Sequence, residues 1–204
     1  MKNALRFALA IGLLAGIAES ALAGQHTWDV NEVFSNADGS IQFVELREAN
    51  GTPGETGLPS QQISSTVQGE SFFIGGGPLT PPTSNKFFLI ATPGFAALPG
   101  APTPDSIIPA ANIPFFATSG DTVVYSVYDS WNFGAVPTDG VNSLKRLGGP
   151  PENSPTNYAG QTGQVDAGSP APSVPALNGL GIGLVAGVLL LAGIAIARRR
   201  TAAA

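Results

Sequence analysis

Short runs crowded with apolar, β-branched and aromatic residues recur along the chain: "TWDVNEVF", "SIQFVELRE", "QISSTV", "SFFIG", "NKFFLIAT", "DTVVYSVYD" and "VNSLKRL". Glycines and prolines separate them. Runs of this length bounded by turn-forming residues predict strands, and their recurrence predicts an all-β sandwich or barrel. "PGFAALPG" has room for one helical turn at most before Pro99 stops it. With 26 Gly and 18 Pro in 204 residues, long soluble helices have little room to form. No internal repeat appears at a solenoid period.

The first two runs flank "SNADGS", and Asp38-Gly39 is a favoured pair for a two-residue type I′ hairpin turn. With those two residues as the loop, Ala37 faces Ser40, Phe34 faces Phe43, Val33 faces Val44 and Glu32 faces Glu45. Apolar partners meet on both faces, which supports this register. It also sets two carboxyl groups directly opposite each other.

The two ends read differently. "MKNALRFALAIGLLAGIAESALAGQ" carries Lys2 and Arg6, an apolar stretch from Phe7 to Ala18, and small residues at Ala21 and Ala23. This is the pattern of a secretory signal over residues 1–23, cleaved after Ala23. Residues 24–166 then form the exported body, expected as one domain. From Gly148 the composition shifts to "GGPPENSPTNYAGQTGQVDAGSPAPSVP", where the first part finishes the domain and residues 167–176 read as a linker. Leu180 to Ala197 is uncharged and, with residues 177–179, long enough as a helix to cross ~30 Å of hydrocarbon. Arg198, Arg199 and Arg200 follow it and hold that end in the cytoplasm, leaving the body outside. "GIGLVA" within the run fits a dinucleotide-binding pattern but follows no strand, so it carries no cofactor. Gly179, Gly183 and Gly187 are spaced for helix packing, as small residues in membrane helices commonly are.

Charge and cysteine narrow the functional classes. Of 14 acidic residues only Glu19 lies outside the body; of nine basic ones only Arg47, Lys86, Lys145 and Arg146 lie within it. The body therefore carries a net charge of −9, which disfavours nucleic acid and suits solubility. Cys is absent, so the exported fold rests on its core alone. About 150 residues suffice for that.

The tail resembles the tripartite C-terminal sorting signals of the PEP-CTERM and IPTL-CTERM class: a short Pro-containing motif, a hydrophobic helix, then an arginine cluster. Val174, Pro175, Ala176 and Leu177 occupy the motif and Gly181 is placed as in the IPTL type. Val stands for the usual Ile, Ala for Thr, and Leu180 where Trp is common. The resemblance implies a sortase-like membrane protease as a transient partner, cutting near Val174 and Pro175 and passing the body to the cell surface or matrix.

The body resembles the lamin-tail domain family in its bacterial exported form. Asn31, Glu32 and Val33 match the opening strand; Val44, Glu45 and Leu46 match the second; Ser143, Leu144 and Arg146 match the penultimate motif. "NSPTNYAG" stands where the family closes, with Asn157 in place of a usual Pro. The resemblance implies an immunoglobulin-like β-sandwich and a non-catalytic module that binds or tethers, its partner an unknown surface protein or polysaccharide.

Catalytic chemistry finds few materials. The lone histidine, His26, lies three residues into the mature chain, where a solvated end is expected. No Cys, G-x-S-x-G elbow or H-E-x-x-H helix is present. A carboxylate-dependent hydrolase of envelope polysaccharide is the alternative to a non-enzymatic surface module. "FSNADGSIQFVE" places Asn36, Asp38, Gly39 and Glu45 at EF-hand positions, but Phe34 takes the first, and two strands would pull Glu45 away from the turn. No cofactor is expected, except that calcium is one way to relieve Glu32 against Glu45. The others are Arg47 or another basic side chain reaching in, or hydrogen bonds from loop amides. The structural role is preferred over a cation site.

Overall fold

The structure, a computed structural model, describes residues 24–168. The chain divides into two units between Gly168 and Ser169, and the described residues belong to the first. The expected export signal with Ala21 and Ala23, the motif at Val174 and Pro175, and the helix 177–200 with Arg198, Arg199 and Arg200 lie outside them. Among the described residues no helix is long and apolar enough to cross a membrane.

The fold is all-β, with two sheets. Strands β1 (Trp28–Ser35), β2 (Gln42–Glu48), β5 (Phe87–Ala91), β6 (Ser106–Ile107) and β9 (Leu144–Lys145) form a five-stranded sheet in the order β6-β5-β2-β1-β9. Strands β3 (Gln62–Ser65), β4 (Ser71–Phe73), β7 (Asp121–Tyr125) and β8 (Asp129–Phe133) form a four-stranded sheet in the order β4-β3-β7-β8. All pairs are antiparallel except β5 with β6. The predicted helical turn is α1 (Pro93–Ala96), capped by Thr92, whose hydroxyl accepts a hydrogen bond from the Phe95 amide.

The five-stranded sheet is apolar on both faces, and each face has its own cover. Val33, Val44, Leu46, Phe88 and Ile90 face the second sheet and meet Ile63, Phe72, Val123 and Tyr125 in the main core. Phe34, Phe43, Leu89 and Ala91 lie on the other face, under Phe95 and Val165. Phe34 and Phe43 stack at 5.3 Å, and Phe95 meets Phe43 edge-on at 5.2 Å. This outer cover is built from α1 and from the C-terminal segment to Ala167, a strap without long strands.

One extra residue reconciles β1 with its neighbours. Val30 pairs with Leu46 but Glu32 pairs with Glu45, so Asn31 is a bulge. Trp28 and Val30 therefore share the inter-sheet face with Val33 despite their odd spacing. Without the bulge, strict alternation would turn one half of β1 inside out.

Beyond the bulge the predicted register holds from Glu32–Glu45 through Phe34–Phe43, but the turn differs. Asn36 N–H donates to Ile41 O and Gly39 N–H to Asn36 O, so Ala37 and Asp38 are the central residues and Gly39 takes the positive φ of 75°. A type I′ turn needs positive φ at both centres, and Asp38 does not have it. The Asp38 carboxylate instead accepts from Ser40 N–H and Oγ, closing the loop from within.

Candidate functional site

The bulge that corrects the strand parity also aims Asn31 at the carboxyl pair. Its Nδ2 donates to Glu45 Oε1 at 2.7 Å. Thr156 N–H donates to Glu45 Oε2 at 2.7 Å. Glu32 Oε1 accepts from Ser143 Oγ at 2.7 Å and Ser154 N–H at 2.9 Å, and its Oε2 accepts from Ser154 Oγ at 3.0 Å. Both carboxyls are about 1 % exposed, more deeply buried than the alternation of β1 and β2 predicts, because the strap lies over them. Of the three expected means of relief, the third is observed: strap amides and neighbouring side chains take up the oxygens.

Neither basic candidate reaches in. Arg47 lies over the Phe87 ring at 5.9 Å, with its Nε buried and unpaired. Lys145 pairs with Glu32 across β1 and β9, yet its Nζ donates to the carbonyls of Pro150 and Glu152. Burial, reinforced by the charge on Glu32, pushes the Glu45 carboxyl up to about 8 against the pull of Asn31 and Thr156. Glu45 is thus mostly protonated at neutral pH. A pocket of about 310 Å³ opens at the pair, lined by Glu32 and Glu45 together with Asn31, Lys145, Ser154 and Thr156. Among the described residues no three His, Cys, Asp or Glu side chains cluster as a metal site.

The strap is held at further points that the sequence did not mark. Asn153 is buried; its Nδ2 donates to Val141 O and Val165 O, and its Oδ1 accepts from Val165 N–H. Asn157 binds Thr103 O and both ends of Gln161. Asp105 joins the strap to β5, accepting from Leu89 N–H and Tyr158 N–H, and burial raises its pKa. On the opposite edge, Arg146 donates to Asp129 at 2.6 Å and to Val30 O, while Asp129 also accepts from Val30 N–H. That charge-assisted bond raises the Arg146 pKa and ties β8 to the start of β1.

The same economy recurs elsewhere. Five carboxylates are buried among the described residues: Glu32, Glu45, Glu48, Glu55 and Asp121. Glu48 accepts from the amides of Asn50, Gly51 and Asn85. Asp121 accepts from those of Thr66, Val67, Gln68, Ala117 and Thr122. Burial works against the Asp121 charge, but these donors win and its pKa falls. Glu55 accepts from His26 N–H at 2.6 Å, so His26 is tied by its backbone and is not a free end, though its side chain is 64 % exposed. The acidity is therefore not only solubility, since these five acids each staple a loop or the segment that leads into β1.

Asn31, Ser143 and the segment 153–157 are short motifs far apart in sequence that converge on one carboxyl pair. No family model matches the chain, and no curated protein or solved structure matches it either.

Proposed function

We propose that this chain is an exported, non-enzymatic binding or structural module of the cell surface or extracellular matrix. Its body is an immunoglobulin-like sandwich of lamin-tail type, delivered by a C-terminal sorting signal. One observation carries the non-enzymatic reading: each of the five buried carboxylates among the described residues accepts a main-chain N–H. In Glu32, Glu45, Glu48 and Asp121 both carboxyl oxygens are engaged by protein donors, which commits these groups to holding loops. The sorting half of the reading is supported by the order of Val174-Pro175, apolar run and arginine cluster.

A second reading has one observation in its favour. Two opposed carboxyls, one with a raised pKa, beside a pocket, are the parts of a polysaccharide hydrolase. Burial to about 1 % and five hydrogen bonds from Asn31, Ser143, Ser154 and Thr156 count against it, because the carboxyl oxygens are already taken by protein donors. The test is mass spectrometry of surface protein together with a glycan-cleavage screen. The proposal expects a mature chain ending near Val174 and no turnover. Recovery of an intact C-terminus only from the inner membrane would refute sorting, and turnover lost in Glu32→Gln and Glu45→Gln would refute the non-enzymatic role.

A further inference from the structure

The outer face of the four-stranded sheet differs from the rest of the surface. Alternation turns Ile63, Phe72, Val123 and Tyr125 inward, and leaves Gln62 and Ser64 of β3, and Ser71 and Phe73 of β4, pointing out. Thr122 and Val124 of β7 and Ser130 and Asn132 of β8 complete the face. Ser71, Ser64, Val124 and Ser130 form one row across all four strands. None of the 17 charged residues of the body projects from this face. Exposed sheets normally carry interspersed charges, and edge strands especially so. Here both edges, β4 and β8, lack them on this side.

Phe73, the last residue of edge strand β4, is 71 % exposed. Among the described residues the side chains of Gln62, Ser64, Ser71 and Ser130 have no hydrogen-bond partner, and Asn132 uses only its Nδ2, on Thr122 Oγ1 and Asp121 O. The face thus offers one bare aromatic ring among hydroxyls and amides that can both donate and accept.

We propose that this face binds an uncharged polysaccharide, whose ring C–H face lies on Phe73 while its hydroxyls bond Gln62, Ser64, Ser71 and Ser130. The proposal rests on the reading of the chain as a surface binding module and names the ligand class. Charge selects the occupant. A net charge of −9 repels an anionic chain, and a cationic partner would seek the carboxylates, which this face lacks. Size argues against a second copy. Four strands of at most five residues cover about 17 Å by 19 Å, or ~320 Å², against the ~800 Å² per partner of a stable protein interface.

The test is affinity electrophoresis of the full chain in a sugar-free zwitterionic detergent, through gels containing dextran, hydroxyethylcellulose or galactomannan. Wild type should be retarded by at least one. Phe73→Ala and Ser64→Lys, both on the outer surface and neutral for folding, should each weaken retardation about tenfold or more, with unchanged melting temperatures. No retardation by any of the three would overturn the proposal, as would retardation unaffected by both substitutions. A dimer in sedimentation that Ser64→Lys abolishes would overturn it in favour of a second copy. Each of these failures leaves the surface-module reading standing. Turnover of a glycan, which would sink that reading, is scored separately by product release.

Discussion

Replacing Glu45 by Gln should reverse its effect on stability with pH. The Glu45 carboxyl keeps its proton to about 8 in the fold, against an ordinary value of 4.5 once unfolded. Between these values the folded chain binds the extra proton, so stability is greatest at low pH and is lost as pH rises towards 8. The slope is ~1.4 kcal/mol per pH unit, and from pH 5 to pH 8 the Glu45 contribution falls by about 4 kcal/mol. Glu45→Gln removes that titration. The Gln amide nitrogen accepts no hydrogen bond, so one of the two bonds from Asn31 Nδ2 and Thr156 N–H is lost, which costs about 1 kcal/mol at pH 5. At pH 8 the variant should be the more stable of the two by about 3 kcal/mol. Urea unfolding of wild type and variant at pH 5, 6, 7 and 8 reads the difference directly. A difference that stays constant across the series would show that Glu45 is ionised throughout and would refute the reasoning.

Glu32→Gln keeps one accepting oxygen for Ser143 Oγ and Ser154 N–H and forfeits acceptance from Ser154 Oγ, and should lower stability by about 1 kcal/mol at pH 5. It also removes the charge that reinforces burial in raising Glu45, so the pH range over which stability falls should narrow. Deleting Asn31 should prevent folding, because Trp28 and Val30 would leave the inter-sheet core, each a loss of about 2–5 kcal/mol; Asn31→Ala, which keeps the register, should fold and cost only about 1 kcal/mol. Millimolar calcium should leave the wild-type melting temperature unchanged, since the Glu32 and Glu45 oxygens are already taken by protein donors. A rise that Glu45→Gln abolishes would make the pair a cation site.

The hairpin was legible because Phe34 with Phe43 and Val33 with Val44 give apolar pairs on both faces, and only one register provides that. The opposed glutamates followed from it. Strand β8, "DSWNF", was not legible, since polar residues fill its outer side and the turn before it bends at Ser126, with φ of 49°, where no glycine marks it. The bulge left a trace in the spacing of Trp28, Val30 and Val33, which step by two and then three. The strap left almost none. Its short bridges, Asn142 with Glu152 and Thr156 with Thr162, are isolated. What fixes it are side-chain bonds to Glu32 and Glu45 more than 100 residues away, and no local pattern encodes such distances.

That the buried carboxyls hold the strap in place of working on a substrate is tested most directly by hydrogen exchange at the Ser154 and Thr156 amides. In wild type at pH 6 both should exchange as slowly as the amides of β2, and Glu32→Ala, which removes the acceptor, should release Ser154 selectively while β2 stays protected. Exchange of both amides at the rate of an unstructured peptide in wild type would contradict the account.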